Sequence, residues 1–269
     1  VDQPIEITDV DDPRLADFRD LTTADRRPDR PGGAGLVIAE GAVVVRRLLS
    51  SAYPLRALLG VRRRYDELAA DLAGTTAPYY LVTVELMATV VGFHLNRGVL
   101  ATADRVTFPQ AGTLLETARS VAVLEGVGDH ENLGSIFRNA AALGIDAVLF
   151  GPGCADPLYR RSVRVSMGTV LLIPFTNLPG QWLDSAKLLQ DNGFTIVALT
   201  PDPLATTLRA AGLAGRKVAL LLGSEGPGLS HDALAAADLL VRIPMAAGVD
   251  SLNVATAGAI AFAEITAGQ

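Results

Sequence analysis

The chain has a single cysteine, Cys154, so no internal disulfide is available to it. Its three histidines, His94, His130 and His231, are too scattered for a metal-ligand spacing, and neither a structural nor a catalytic metal is expected. No apolar run reaches the roughly 18 residues of a membrane span. The longest candidate, the Ala-rich stretch from Val254, meets a charge at Glu264. The opening VDQPIEITDVDD is acidic and lacks the basic and apolar regions of a secretory leader, so a cytoplasmic location is expected. Cationic excess is missing too. A formal net charge of −6 argues against a protein that coats nucleic acid non-specifically, yet leaves local patches open. Familiar phosphate and nucleophile motifs are absent: there is no Gly-Lys-Ser/Thr ending for a Walker A loop and no G-x-S-x-G elbow. The GVGDHENLG segment has Glu131 where G-x-G-x-x-G needs its third glycine.

What remains is an apolar chain, 49% hydrophobic over 269 residues, long enough for two domains with real cores. A polar stretch, DRRPDRPGGAG (Asp25 to Gly35), leads into alternating strand-like and helical runs. LVIAE (Leu36 to Glu40), LRALLGV (Leu55 to Val61), PYYLVT (Pro78 to Thr83) and GVLATA (Gly98 to Ala103) read as strands. Ala42 to Ser51, Arg62 to Leu72 and a segment ending at Val90 read as helices. An α/β layer of about four strands is expected. FPQAG (Phe108 to Gly112) breaks the pattern, and a short helix, Thr113 to Arg119, follows. The second half has stronger strands: VAVLEG (Val121 to Gly126), DAVLF (Asp146 to Phe150), VLLIPF (Val170 to Phe175), FTIVAL (Phe194 to Leu199), VALLLG (Val218 to Gly223) and LLVRIP (Leu239 to Pro244). Strands this continuously apolar are covered on both faces, which implies a mostly parallel sheet with its ligands beyond the strand C-termini.

Three loops carry polar chemistry. After VAVLEG, Asn132 is placed to cap a helix whose Leu133, Ile136, Phe137, Ala140 and Ala141 form an apolar stripe. Arg138 lies just off that stripe, leaning over Gly134, and the pair reads either as an open shelf for an anionic group or as an ordinary cap with a surface cation. LLLGSEGPGLS (Leu220 to Ser230) packs three glycines and a proline into six residues, with Ser224 and Glu225 its only side-chain chemistry. That loop reads as close backbone approach to a ligand or as a plain strand-to-helix turn. In IPMAAGVDSLNVATAGAIAFAEI (Ile243 to Ile265), Asp250 or Ser251 is expected to cap a final helix, with Asn253 in its first turn. The small-residue surface of that helix suits either a partner subunit or burial within the chain. The clusters Arg62, Arg63, Arg64 and Arg160, Arg161, Arg164 read as solvated faces or as cation patches.

Taken together, N-L-G-x-x-x-R (Asn132 to Arg138), L-G-S-E-G-x-G (Leu222 to Gly228), and I-P-M followed by S-L-N-V-A (Ile243 to Met245, Ser251 to Ala255) resemble the three ordered motifs of the SpoU/TrmH family of RNA ribose 2′-O-methyltransferases. The match spans about residues 119 to 266. The resemblance implies an α/β catalytic domain of SPOUT fold over 119–269, mostly parallel and closed by a trefoil knot. Before it come a linker at 108–118 and, over 1–107, a smaller L30e/L7Ae-like α/β/α substrate-binding domain, to which Gly35 to Gly41 (G-L-V-I-A-E-G) is similar. It further implies S-adenosylmethionine as cofactor, held by Gly223, Ser224, Gly226, Ile243, Ser251, Leu252 and Asn253 with Thr200 and Met245 nearby, and a homodimeric enzyme. Arg138 would act on the ribose hydroxyl, Glu225 and Asn132 would orient Arg138 or the substrate, and Ser251 and Asn253 would complete the catalytic set. A guanidinium scarcely deprotonates at pH 7, so positioning phosphate and acidifying the hydroxyl is the physically easier role for Arg138.

On this resemblance the partner is RNA, ribosomal ahead of transfer RNA, with no membrane or metal, and the two Arg clusters become candidate RNA contacts. Aromatics, at 5%, are too few for extensive base stacking. The rivals are a transfer-RNA methyltransferase, an RNA-binding protein that keeps the cofactor without turnover, and a Rossmann-type nucleotide enzyme that the missing glycine fingerprint disfavours.

Overall fold

The computed structural model describes residues 3–21 and 35–267, so most of the Asp25 to Gly35 stretch lies outside it. The chain divides into two compact units: Val1–Thr107 with Leu158–Leu172, and Phe108–Pro157 with Ile173–Gln269.

The first unit runs β1 (Ile5–Glu6), β2 (Val37–Glu40), α1 (Ala42–Leu49), β3 (Leu55–Gly60), α2 (Arg62–Leu68), β4 (Tyr79–Leu81), α3 (Val84–Val91) and β5 (Val99–Ala103). Its sheet order is β1-β4-β3-β5-β2, five strands where about four are expected. The extra one, β1, is two residues long, too short to show alternation, and pairs parallel with β4 through Ile5 opposite Tyr80. Ile38, Leu59, Val90, Val91 and Leu100 build the core on one face. α3 is bounded by recognisable signals, Thr83 accepting from the Leu86 N–H at 3.2 Å and left-handed Gly92 closing the helix. Gly60 is a steric necessity, because a Cβ there would stand 2.0 Å from the Tyr79 hydroxyl. The Tyr79 ring is fully buried, its hydroxyl donates to the Val61 carbonyl at 3.2 Å, and burial pushes its pKa up.

The second unit opens with α4 (Ala111–Thr117), β6 (Ser120–Leu124), α5 (His130–Leu143) and β7 (Ala147–Phe150). The chain then contributes α6 (Arg160–Val165) and a 3-10 turn, Thr169–Leu171, to the first unit. It resumes with β8 (Phe175–Asn177), α7 (Trp182–Asp191), β9 (Thr195–Leu199), β10 (Thr206–Thr207), β11 (Val218–Leu222), α8 (His231–Ala235), β12 (Leu239–Arg242) and α9 (Val254–Ile265). The expected strand over Val170 to Phe175 is therefore corrected. Gly168, at φ +86, turns the chain and the apolar residues Val170 and Leu171 are buried in a helical turn, so the strand starts only at Phe175. A short apolar run carries no periodicity with which to choose between the two.

The second sheet has the order β10-β12-β9-β11-β6-β7-β8, and every pairing is parallel. β6 and β11 are buried along their whole length, as continuous apolar strands under helices on both faces should be. Their register puts Leu222 opposite Leu124, so Glu125 and Gly223 leave the sheet side by side. β9 and β12 end on the same edge, with Val241 opposite Leu199 and the Thr200 N–H donating to the Val241 carbonyl at 2.9 Å. The loops after β6, β9, β11 and β12 thus meet at one edge, where ligands of parallel sheets bind. α9 packs along α5 and reaches β11, and Gly258 permits the approach, since a Cβ would lie 3.1 Å from the Leu222 side chain.

Candidate active site

Three of the expected residues converge at this edge. The Asn253 amide Nδ2 donates to Asn132 Oδ1 at 2.7 Å and to Glu225 Oε1 at 2.9 Å. One amide so joins the start of α5, the loop after β11 and the start of α9.

Each side chain is held by its local structure, though the helix caps differ from those expected. Asp129, not Asn132, caps α5, accepting from the Glu131 and Asn132 N–H groups at 2.9 Å each. Asn132 sits in the first turn, where its side chain is released for the bridge. α9 is capped by Asn253 itself, in place of Asp250 or Ser251: its Oδ1 accepts from Ala255 N–H at 3.0 Å and Thr256 N–H at 3.1 Å. An asparagine can do both jobs because its amide has an acceptor for the helix and two further donors.

Glu225 rides on a tight turn. The Gly228 N–H donates to the Ser224 carbonyl at 3.1 Å, and the Ser224 hydroxyl to the Gly228 carbonyl at 3.2 Å. Gly226 and Gly228 have φ of +88 and +73, left-handed values that favour glycine. At the neck, a Cβ on Gly223 would lie 2.3 Å from both the Gly228 carbonyl carbon and the Leu229 nitrogen. Glycine at this position is thus required by the closing of the loop on itself.

Arg138 is exposed on α5 and makes no hydrogen bond or ion pair among the described residues, so it stands outside the bridge. The open shelf at Gly134 is corrected: Gly134 is buried. α9 covers that flank of α5, and the Asn139 amide donates to the Ala255 carbonyl at 2.9 Å. Ser251 is exposed in the loop before α9 and does not join the bridge. Thr200, Ile243 and Met245 are half-buried where β9 and β12 end, and Leu252 is 38% exposed. Among the described residues the main-chain groups of Gly223, Ile243 and Leu252 have no hydrogen-bond partner. Unused backbone donors and acceptors beside half-exposed apolar side chains suit a ligand with both an apolar and a polar part.

Of the arginine clusters, Arg64 is committed locally, its Nε donating to the Arg97 carbonyl at 2.8 Å and its Nη1 paired with Glu67. Arg62 and Arg63 are exposed, with Arg62 lying over the Tyr65 ring at 5.7 Å. Arg160 lies 3.2 Å from the buried carboxylate of Glu40 and 4.7 Å from the Phe93 ring centroid. Arg161 is exposed and Arg164 half-buried.

Sequence reasoning missed Glu125, which is buried at the end of β6 and bonded to Trp182 and Ser230. The available signal was a carboxylate closing an otherwise apolar strand. Cys154 donates to the Leu124 carbonyl at 3.3 Å, and burial pushes its thiol up, which makes it a poor nucleophile.

Comparison with known proteins matches residues 119–263 to the model of the SpoU rRNA methylase family. This chain belongs to that family. An uncharacterized tRNA/rRNA methyltransferase of Mycobacterium tuberculosis is 56% identical over 263 residues, which cover 97% of this chain and 91% of that protein. A 23S rRNA guanosine 2′-O-methyltransferase of Bacillus subtilis is 33% identical over 148 residues, 54% of this chain and 57% of that one. The crystal structure of an AdoMet-bound rRNA methyltransferase from Sinorhizobium meliloti superposes with a TM-score of 0.80 at 26% identity, covering 97% of this chain and 96% of the other. The SpoU match contains all three loops of the site.

Proposed function

We propose that this RNA methyltransferase of the SpoU/TrmH type, with S-adenosylmethionine as its cofactor, modifies a ribose 2′-hydroxyl, in ribosomal RNA ahead of transfer RNA. The observation that carries the reading is the Asn132–Asn253–Glu225 bridge, which gathers one residue from each motif at the edge where the four loops meet. When bound, S-adenosylmethionine supplies a methyl group on a sulfonium sulfur, already activated for transfer. Gly223, Ser224, Gly226, Ile243, Ser251 and Leu252 are the residues assigned to hold it, with Thr200 and Met245 alongside. The unused main-chain groups of Gly223, Ile243 and Leu252 support that assignment.

The chemistry left to the side chains is alignment and one proton. Holding two reactants in register can supply on the order of 7–11 kcal/mol of the barrier. Asn253 fixes the carboxylate of Glu225 and the amide of Asn132, leaving the second Glu225 oxygen and the Asn132 Nδ2 to orient the ribose. Arg138, exposed and without a partner among the described residues, is the group assigned to the RNA phosphate and the neighbouring hydroxyl. Its charge stabilises the alkoxide as the hydroxyl gives its proton to solvent water, without the guanidinium itself having to act as base. The first unit contributes RNA recognition, with Arg62 and Arg63 its open cations. The enzyme is taken as a homodimer whose second copy covers the exposed row Thr256, Ile260 and Ala263 of α9.

The test is transfer of labelled methyl to total RNA followed by alkaline hydrolysis, because a 2′-O-methyl blocks cleavage at its own linkage. Label in alkali-resistant dinucleotides, lost in Arg138→Ala, is the expected result. Label on a base, or equal labelling by Arg138→Ala, would overturn the reading.

A further inference from the structure

A buried carboxylate stands behind the loop that carries Glu225. Glu125, the residue after β6, is 8% exposed. Its Oε1 accepts from Trp182 Nε1 at 2.6 Å and from the Ser230 hydroxyl at 2.8 Å, and its Oε2 accepts from the Ser230 N–H at 2.8 Å. Its own N–H donates to the Leu222 carbonyl at 3.0 Å. One residue thus grips both roots of the Gly223–Leu229 loop, Leu222 through its backbone and Ser230 through its side chain.

The chemistry of the position calls for a carboxylate. Three donors converge on it, and two oxygens are needed to meet them. Glutamine would turn an NH2 toward the Ser230 N–H or the Trp182 indole, donor against donor. Aspartate keeps both oxygens but is one methylene short of spanning Ser230 and Trp182. Desolvating a charge is costly unless its hydrogen bonds are complete, and here that cost falls at the neck of one loop. The sheet has its own ladders, and α8 is capped without Glu125 by the Ser230 oxygen accepting from the Ala233 N–H at 3.2 Å.

We infer that Glu125, together with Ser230 and Trp182, is a positioning residue that sets the Gly223–Leu229 loop in the shape that receives S-adenosylmethionine and brings Glu225 to Asn253. The inference rests on the reading that this loop holds the cofactor, and goes beyond it in assigning what holds the loop. It also predicts an optical signature, because Trp182 is the chain's only tryptophan and its indole N–H ends on Glu125. Ligand seated on a loop rooted at Ser230 is expected to alter the environment of that indole, since Ser230 and Trp182 share the Glu125 carboxylate.

Titration of the full chain with S-adenosylmethionine, followed by calorimetry and by tryptophan emission, tests this on wild type, Glu125→Gln, Glu125→Asp, Ser230→Ala and Gly223→Ala. Wild type is expected to show an emission change that saturates with binding. Glu125→Gln should lose that change and bind at least tenfold more weakly, with kcat for methyl transfer falling more than KM for RNA rises. Glu125→Asp and Ser230→Ala should fall between. Wild-type affinity and emission response in folded Glu125→Gln would overturn the inference. If that variant does not fold, wild-type behaviour of both Glu125→Asp and Ser230→Ala overturns it. Gly223→Ala separates the two readings. If it alone loses affinity, the loop holds cofactor and only the role of Glu125 fails; if it too binds normally, the loop assignment fails as well.

Discussion

Replacing Asn253 by aspartate separates the helix-capping role of this residue from its role in the site. The side-chain Oδ1 that accepts from Ala255 and Thr256 survives the change, and a negative charge at a helix N-terminus adds about 0.3–1 kcal/mol. Capping is therefore retained. The Nδ2 that donates at 2.7 Å to Asn132 and at 2.9 Å to Glu225 becomes an oxygen, facing an amide oxygen on one side and a carboxylate on the other. Two hydrogen bonds of about 1 kcal/mol each turn repulsive, and the three loops are no longer tied. A misplacement of about 1 Å at a reacting centre costs about 100-fold in rate, so kcat for RNA methylation should fall by that order. Asn253→Ala is the counterpart: it loses the cap as well, at about 1 kcal/mol, or about 2–4 °C in melting temperature for a protein of this size. Thermal melting and initial rates on the same preparations decide the matter. Asn253→Asp with wild-type turnover would refute the division of labour.

Other outcomes follow from the same geometry. Glu40→Ala leaves the half-buried Arg160 guanidinium without its carboxylate, and should destabilise the first unit by about 1–3 kcal/mol, read by chemical denaturation. If the proposed homodimer uses the exposed row of α9, Ile260→Lys should give a monomer in light scattering where the wild type gives a dimer, with the fold intact by circular dichroism. Asp12 caps a 3-10 turn and is held down to about 2, first by its side-chain hydrogen bond with Arg14. Because its folded pKa lies below the unfolded 3.8, its stabilisation is present above pH 3.8 and is lost as the pH falls toward 2, so Asp12→Asn should flatten that part of the acid limb. Cys154 should react with a thiol reagent at pH 8 more slowly than free cysteine, since burial raises its thiol.

Most strands of the two sheets were legible because buried strands leave apolar runs, whereas the two-residue β1 and β10 are too short to leave one, and the three motif loops were legible because glycines and amides cluster there. Two kinds of feature escaped. One is local competition between neighbours: Asp129 and Asn253 are both sound caps on the page, but Asn132 and Ser251 stand beside them, and only the backbone angle at each position selects the cap. The other is non-local. The run Val170 to Phe175 reads as a strand in isolation, yet Gly168 turns it and the first unit buries its start. Glu125 escaped for the same reason, since its three donors come from residues 57 and 105 positions away.

The cations show how far composition alone can mislead about a nucleic-acid surface. Six clustered arginines in a chain of net charge −6 invite one assignment to all of them. The structure divides them by what each already touches. Arg160 neutralises the buried Glu40, and Arg64 is tied to Glu67 and to the Arg97 carbonyl, so moving either onto a phosphate would break an existing bond. Arg62 and Arg63 are exposed and have no bonded carboxylate among the described residues. Each phosphate neutralised contributes about 0.7–0.9 to the logarithmic salt dependence of binding. The double reversal Arg62→Glu, Arg63→Glu should thus reduce the salt slope of RNA binding by about 1.4–1.8 while leaving S-adenosylmethionine affinity unchanged. An unaltered slope would remove this helix from the RNA surface and shift the burden to Arg138 of α5 and to the half-buried Arg164, which likewise have no bonded partner among the described residues.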